Sequence, residues 1–139
     1  MYKNILLASD GSEHALRASD HAFHLASCNQ EAVVEILYVI NRAHAKSSTL
    51  QNWNSPEGID VNEENRSAIE LKAKKADIPY QVTTLEGEPG PTIVEYANQG
   101  EFDVVVIGSR GLNGLQEMVL GSVSHKVAKR VHCPVLIIK

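Results

Sequence analysis

Residues 103 to 124 read Asp103-Val-Val-Val-Ile-Gly108-Ser-Arg110-Gly111-Leu-Asn-Gly-Leu-Gln-Glu-Met-Val-Leu-Gly121-Ser122-Val123-Ser124, and this stretch decides the fold. An apolar run stops at Gly108, a glycine-rich loop follows, and a helix-like segment opens at Gly121. Strand, glycine loop and helix in that order make the layout of an anion site. Glycine lets bare backbone N–H groups approach phosphate oxygens, and a helix N-terminus adds unconsumed donors and a favourable dipole. The blander alternative is that Gly108 merely ends a strand and Gly121 merely starts a helix.

Working outward, the rest of the chain repeats the strand–helix alternation. Ile5 to Ala8 is a short apolar strand closed by Ser9-Asp10-Gly11-Ser12. A helix follows, capped by Ser12 or Asp10, with Ala15, Ala18, Ala22 and Leu25 on one face at helical spacing. Val33 to Ile40 is a second strand, and residues 41 to about 60 form the longest, most polar loop. A charged helix over 61–76 carries a thin stripe of Ile69, Ala73 and Ala76. Tyr80 to Glu86 is a third strand, and Pro91 starts a short helix that ends near Gly100. Phe102 to Ile107 is the fourth strand. Gly121 to Val131 is the fourth helix, with Val123, Val127 and Val131 four apart, and Cys133 to Lys139 closes the chain as a fifth strand.

Continuous apolar strands alternating with helices imply an α/β fold: an open, doubly wound, parallel five-stranded sheet with helices on both faces. Ligands of such Rossmann-like folds bind beyond the carboxyl ends of the strands, where the strand order reverses. An order 3-2-1-4-5 makes strands one and four neighbours there, and the two most site-like loops, Ser9 to Ser12 and Gly108 to Gly111, follow those strands.

Composition narrows the class. A chain of 139 residues is read as one domain, residues 1–139, with 43% hydrophobic and 22% charged residues. No apolar run reaches membrane-span length, and Met1-Tyr-Lys-Asn leads into a strand rather than a signal peptide, so the expectation is a cytoplasmic protein without a membrane partner. Net charge is −4 and the basic residues are scattered, which argues against nucleic acid as a partner. Cys28 and Cys133 lack a second cysteine at metal or redox spacing and read as buried or half-buried thiols. His14, His21 and His24 share the first helix, but His24 lies off the face of the other two and no acidic partner is in register, so they read as solvated and the metal set as none.

The opening Ile5-Leu-Leu-Ala8-Ser9-Asp10-Gly11-Ser12, the strand Ile36-Leu-Tyr-Val39-Ile40, the spacing Gly108-x2-Gly111-x9-Gly121-Ser122 and the ending Cys133-Pro-Val-Leu-Ile-Ile resemble the universal stress protein family, in its nucleotide-binding branch. The resemblance runs the length of the chain and is weakest over residues 41–76. It implies a fold of the adenine nucleotide alpha hydrolase-like kind and a stress-response protein that binds ATP, with ADP and AMP as alternatives. By the same resemblance Asp10 meets the ribose or adenine, with Ala8 and Ser9 on the pocket wall beside it, and Val39 offers backbone hydrogen bonds to adenine. Gly108, Gly111, Gly121, Ser122, Val123 and Ser124 hold the phosphates, and Arg110 adds charge. Ser9 departs from the apolar residue or threonine usual before the aspartate. A divalent metal such as Mg²⁺ would ride mainly on the phosphates.

Competing motifs are missing. No Gly-x4-Gly-Lys-Ser/Thr run exists, and Gly108-x-x-Gly111-x-x-Gly114 lacks the dinucleotide spacing. A receiver domain would need a phospho-acceptor aspartate ending strand three, where Glu86-Gly87 stands. Two functional classes remain: a nucleotide-holding regulator acting on some partner protein, and a slow ATPase or phosphotransferase using the same pocket. The regulator is favoured because the loops supply no evident general base and no acidic pair for Mg²⁺, leaving the catalytic set empty. The two sheet edges also differ. Strand three is polar, whereas Val135-Leu-Ile-Ile138 is apolar on both faces, so antiparallel pairing of residues 134–139 with a second copy predicts a homodimer.

Overall fold

The computed structural model describes residues 2–40, 59–109 and 121–139. In chain order the elements are β1 (Asn4–Ser9), α1 (Glu13–Ser27), β2 (Val33–Ile40), α2 (Ile59–Lys75), β3 (Tyr80–Glu86), α3 (Pro89–Gln99), β4 (Val104–Gly108), α4 (Ser122–Arg130) and β5 (Val135–Ile138). The five strands form one parallel sheet in the order β3-β2-β1-β4-β5. This is the order read from the sequence. The register sets Ala8 between Leu37 of β2 and Ile107 of β4, so β1 is central and the order reverses between β1 and β4.

Alternate residues of each strand face opposite layers. Ile5 and Leu7 of β1, Val34 and Ile36 of β2, and Val104 and Val106 of β4 pack against Ala18, Ala22, Phe23 and Ala26 of α1 and Ile69 and Ala73 of α2. Leu6, Ala8, Leu37, Val39, Val105 and Ile107 meet Ile93 and Ala97 of α3 and Val127 of α4. Helices therefore cover both faces, which explains the unbroken apolar runs of β1 and β4; in β2 the run is interrupted by Glu35, on the α3 side. No helix among the described residues is long and apolar enough to cross a membrane.

Several boundaries differ from expectation for local reasons. The α3 helix begins at Pro89 rather than Pro91, and both prolines fit its first turn, where backbone N–H groups have no intrahelical acceptor anyway. Phe102 does not join β4; its ring turns back to Tyr96, with centroids 5.8 Å apart. Ala76 is exposed because α2 ends at Lys75, and the buried stripe is instead Asn65, Ile69 and Ala73. The loop expected over 41–60 lies outside the described residues up to 58, and residues 59 and 60 already belong to α2.

Candidate functional site at the strand carboxyl ends

The turn after β1 folds on its own side chains. The Gly11 N–H donates to Ser9 Oγ at 3.2 Å, and the Ser12 N–H donates to Asp10 Oδ1 at 2.9 Å. Gly11 has φ +78°, a conformation glycine adopts without strain. Ser12, not Asp10, caps α1: its Oγ accepts the Ala15 N–H at 3.2 Å. Asp10 therefore shapes the turn and leaves helix capping to its neighbour. Burial pushes the Asp10 carboxyl above its ordinary range, against the opposing pull of the Ser12 hydrogen bonds and His14.

Behind this turn, the Asn65 side-chain amide of α2 donates to the Gly11 carbonyl. The next residue, Arg66, lays its guanidinium 4.2 Å from the centroid of the buried Tyr38 ring of β2. Through two consecutive residues α2 grips both the β1 turn and the end of β2. Asn65 was missed by sequence reasoning, although it stands four and eight residues before Ile69 and Ala73 on the same face.

At the end of β4 the chain is held just as closely. The Ser109 N–H donates to the Ile138 carbonyl at 2.7 Å, and the Ser109 carbonyl accepts both the Gly121 N–H at 2.9 Å and Ser124 Oγ at 2.6 Å. One carbonyl thus pins the start of α4 to the end of β4. Gly121 is the N-cap residue with no side chain to offer, so helix geometry leaves the N–H groups of Ser122, Val123 and Ser124 without intrahelical acceptors. Ser122 is exposed, Val123 half-buried and Ser124 buried. The hydroxyl of Ser124 is engaged with the Ser109 and Gly121 carbonyls, so its N–H is the group left to meet a ligand.

Gly108 has a packing reason of its own. A Cβ there would lie 2.9 Å from His14 Cβ and 3.0 Å from the His14 carbonyl oxygen, so the end of β4 touches the first turn of α1. That contact leaves His14 half-buried rather than solvated, whereas His21 and His24 are exposed as expected. Cys28 is exposed, contrary to the buried or half-buried reading; it follows directly on the last residue of α1. Cys133 is half-buried, and burial pushes its thiol up. Among the described residues, no three His, Cys, Asp or Glu side chains group as metal ligands.

Ala8, Ser9, Asp10, Val39, Gly108, Gly121, Ser122, Val123 and Ser124 all lie on this edge of the sheet or on the helix pinned to it. Ser9 pairs with Tyr38 and Gly108 with Ile138, so Asp10, Val39 and Ser109 are neighbours of the terminal register positions. Ala8, Ser9 and Val39 are buried. Arg110 and Gly111 lie outside the described residues.

The model of the universal stress protein family matches residues 1–139. The chain is 37% identical to universal stress protein YxiE of Bacillus subtilis, with all of both chains covered. Its fold matches the structure of protein MJ0577 of Methanocaldococcus jannaschii with TM-score 0.79 at 28% identity, covering 100% of this chain and 96% of that one. It also matches a universal stress protein solved in complex with cAMP, with TM-score 0.70 at 25% identity and coverage of 99% and 97%.

Proposed function

The chain belongs to the universal stress protein family, and from that premise we propose that it is a cytoplasmic regulatory protein holding an adenine nucleotide, ATP ahead of ADP or AMP, with little hydrolysis. One observation carries the reading. The Ser109 carbonyl anchors the amino end of α4 beside the Asp10 turn, where the strand order reverses. The cAMP complex of a relative supports an adenine ligand.

In this reading the N–H groups of Ser122, Val123 and Ser124, the Ser122 hydroxyl, and the backbone at Gly108, Gly111 and Gly121 meet the phosphates, with Arg110 adding charge. Asp10, a carboxylate that would repel phosphate, belongs at the ribose or adenine end beside Ala8 and Ser9, and the Val39 backbone faces adenine. A divalent cation such as Mg²⁺ fits here through the phosphates rather than through protein ligands. This reading assigns no side chain as a general base, and slow turnover follows from that assignment.

Calorimetry on the Gly121→Val variant tests the site, because a valine side chain at the N-cap blocks the approach to the α4 donors. Retention of wild-type ATP affinity would refute the assignment. Steady-state hydrolysis faster than about 1 s⁻¹ would move the protein into the enzyme class.

The same premise supports a homodimer through residues 134–139. The Val105 N–H bonds to the Pro134 carbonyl at 3.0 Å and the Ser109 N–H to that of Ile138, so alternate residues of β5 turn their backbone toward β4. Val135 and Ile137 turn theirs to the open edge. Ile137→Pro therefore removes an outward donor while leaving the β4 ladder intact. Light scattering should give a dimer mass for the wild type and a monomer mass for the variant; a wild-type mass near 15.2 kDa rules the dimer out.

A further inference from the structure

At the amino ends of the strands, opposite the Asp10 turn, lies an open hollow of about 480 Å³ bordered by Asn4, Glu35, Tyr96, Gln99, Glu101 and Phe102. Its size falls within the range of small-molecule sites. The Tyr96 and Phe102 rings, tilted 38° to each other, contribute two aromatic surfaces. A Cβ on Gly100 would come 2.5 Å from Phe102 Cε2, so this glycine is what lets the ring lie against the backbone.

Glu35 projects from β2 into the layer of α3, where its Oε2 accepts hydrogen bonds from Thr83 Oγ1 at 2.9 Å and from the Tyr96 hydroxyl. The carboxylate is thus oriented by two neutral donors. Among the described residues, neither Glu35 nor Glu101 forms an ion pair. A carboxylate oriented by hydroxyl donors alone has its charge left for an outside cation to meet. The carboxyl end of α3, at Gln99 and Gly100, borders the same space, and its unpaired carbonyls and dipole add to the negative potential.

We propose that this hollow binds a small organic cation, an alkyl amine or guanidine, with its charge against Glu35 and Glu101 and its carbon chain against the Tyr96 and Phe102 rings. Negative charge, aromatic faces and outward carbonyls are complementary to such a ligand and hostile to an anion. The site is separate from the nucleotide edge and does not depend on the nucleotide reading.

The test titrates the full chain, without nucleotide, with 1,4-diaminobutane while amide signals are followed by NMR; 1-butanol and butyrate serve as uncharged and anionic controls. Saturable binding at roughly millimolar or lower concentration is expected, with the largest shifts at Gly100 and Phe102. Glu35→Gln keeps an acceptor for Thr83 and Tyr96 and should weaken binding about tenfold; Glu101→Gln should weaken it several-fold. Glu101 is exposed, so its substitution reads the charge even if the Glu35 variant fails to fold. Absence of saturation at about 10 mM, equal binding of 1-butanol, or wild-type affinity in Glu101→Gln would each overturn the proposal.

Discussion

At the carboxyl ends of the strands the chain presents backbone N–H groups, hydroxyls and glycines around the carboxyl of Asp10; at the amino ends it presents the carboxylates of Glu35, Glu101 and Asp103 beside two aromatic rings and Lys3. The parallel sheet imposes this polarity. Every crossover helix runs back antiparallel to its strands, so helix amino ends gather at one edge and carboxyl ends at the other. Anion-holding chemistry is cheap at the first edge and cation-holding chemistry at the second. The two aspartates show the same contrast. Burial raises Asp10, whereas Asp103 is held below its ordinary range by the N–H groups of Asn4 and Lys3, which donate to its Oδ2 at 2.9 and 2.8 Å.

Glycine substitutions at the two edges should separate them by the largest margin. Gly108→Ala drives a methyl into the Cβ and backbone of His14 in the first turn of α1, neither of which can swing away, and should cost about 1–3 kcal/mol in urea unfolding. Gly100→Ala meets only the edge of the half-buried Phe102 ring, which can rotate outward, and should cost less than about 1 kcal/mol. Equal costs would show that the β4–α1 contact is looser than its distances indicate.

Comparable to the Gly108 effect is that of Asn65→Leu, which preserves bulk but leaves the Gly11 carbonyl without its side-chain donor. A loss of about 1–3 kcal/mol is expected from the unsatisfied acceptor, together with weaker ATP binding if Asp10 lies at the nucleoside end. Unchanged stability would mean that the β1 turn holds its shape without α2.

The smallest effects come from pH and separate the two carboxylates by sign. Asp10 has a folded pKa above its unfolded value, so its contribution favours folding at low pH and fades as pH rises through the raised pKa. Asp10→Asn should therefore stabilise the nucleotide-free protein at pH 7. Asp103 has a folded pKa below its unfolded value, so its contribution is present above the ordinary carboxylate range and fades as pH falls through the lowered pKa. Asp103→Asn should destabilise slightly at pH 7, and less so in strong acid. Thermal melts of both variants from pH 3 to 7 check the two signs.

Much of the fold was legible because covered strands are apolar on both faces: Ile5–Ala8, Ile36–Val39 and Val104–Ile107 announced themselves without alternation. Element ends were less legible. Ala76 matched the helical period yet fell past the last turn of α2, and Phe102 looked like strand but was taken by Tyr96. At the candidate site the glycines and serines were visible as a spacing. Asn65, Ser109 and Glu35 were not, because each acts through a partner distant in the chain: 54 residues for Asn65 to Gly11, 15 for Ser109 to Ser124 and 61 for Glu35 to Tyr96.

The alternation of elements, the strand order through its two site-like loops, and the family could all be read along the chain, because hydrophobic period and glycine spacing are local properties. Which residue caps α1, that Gly108 is small for the sake of His14, and that a lone Glu35 ends between two hydroxyls emerge from the folded chain alone. Those outcomes depend on which side chains meet once the layers close. Contacts between elements are set by packing in three dimensions, and no one-dimensional period carries that information.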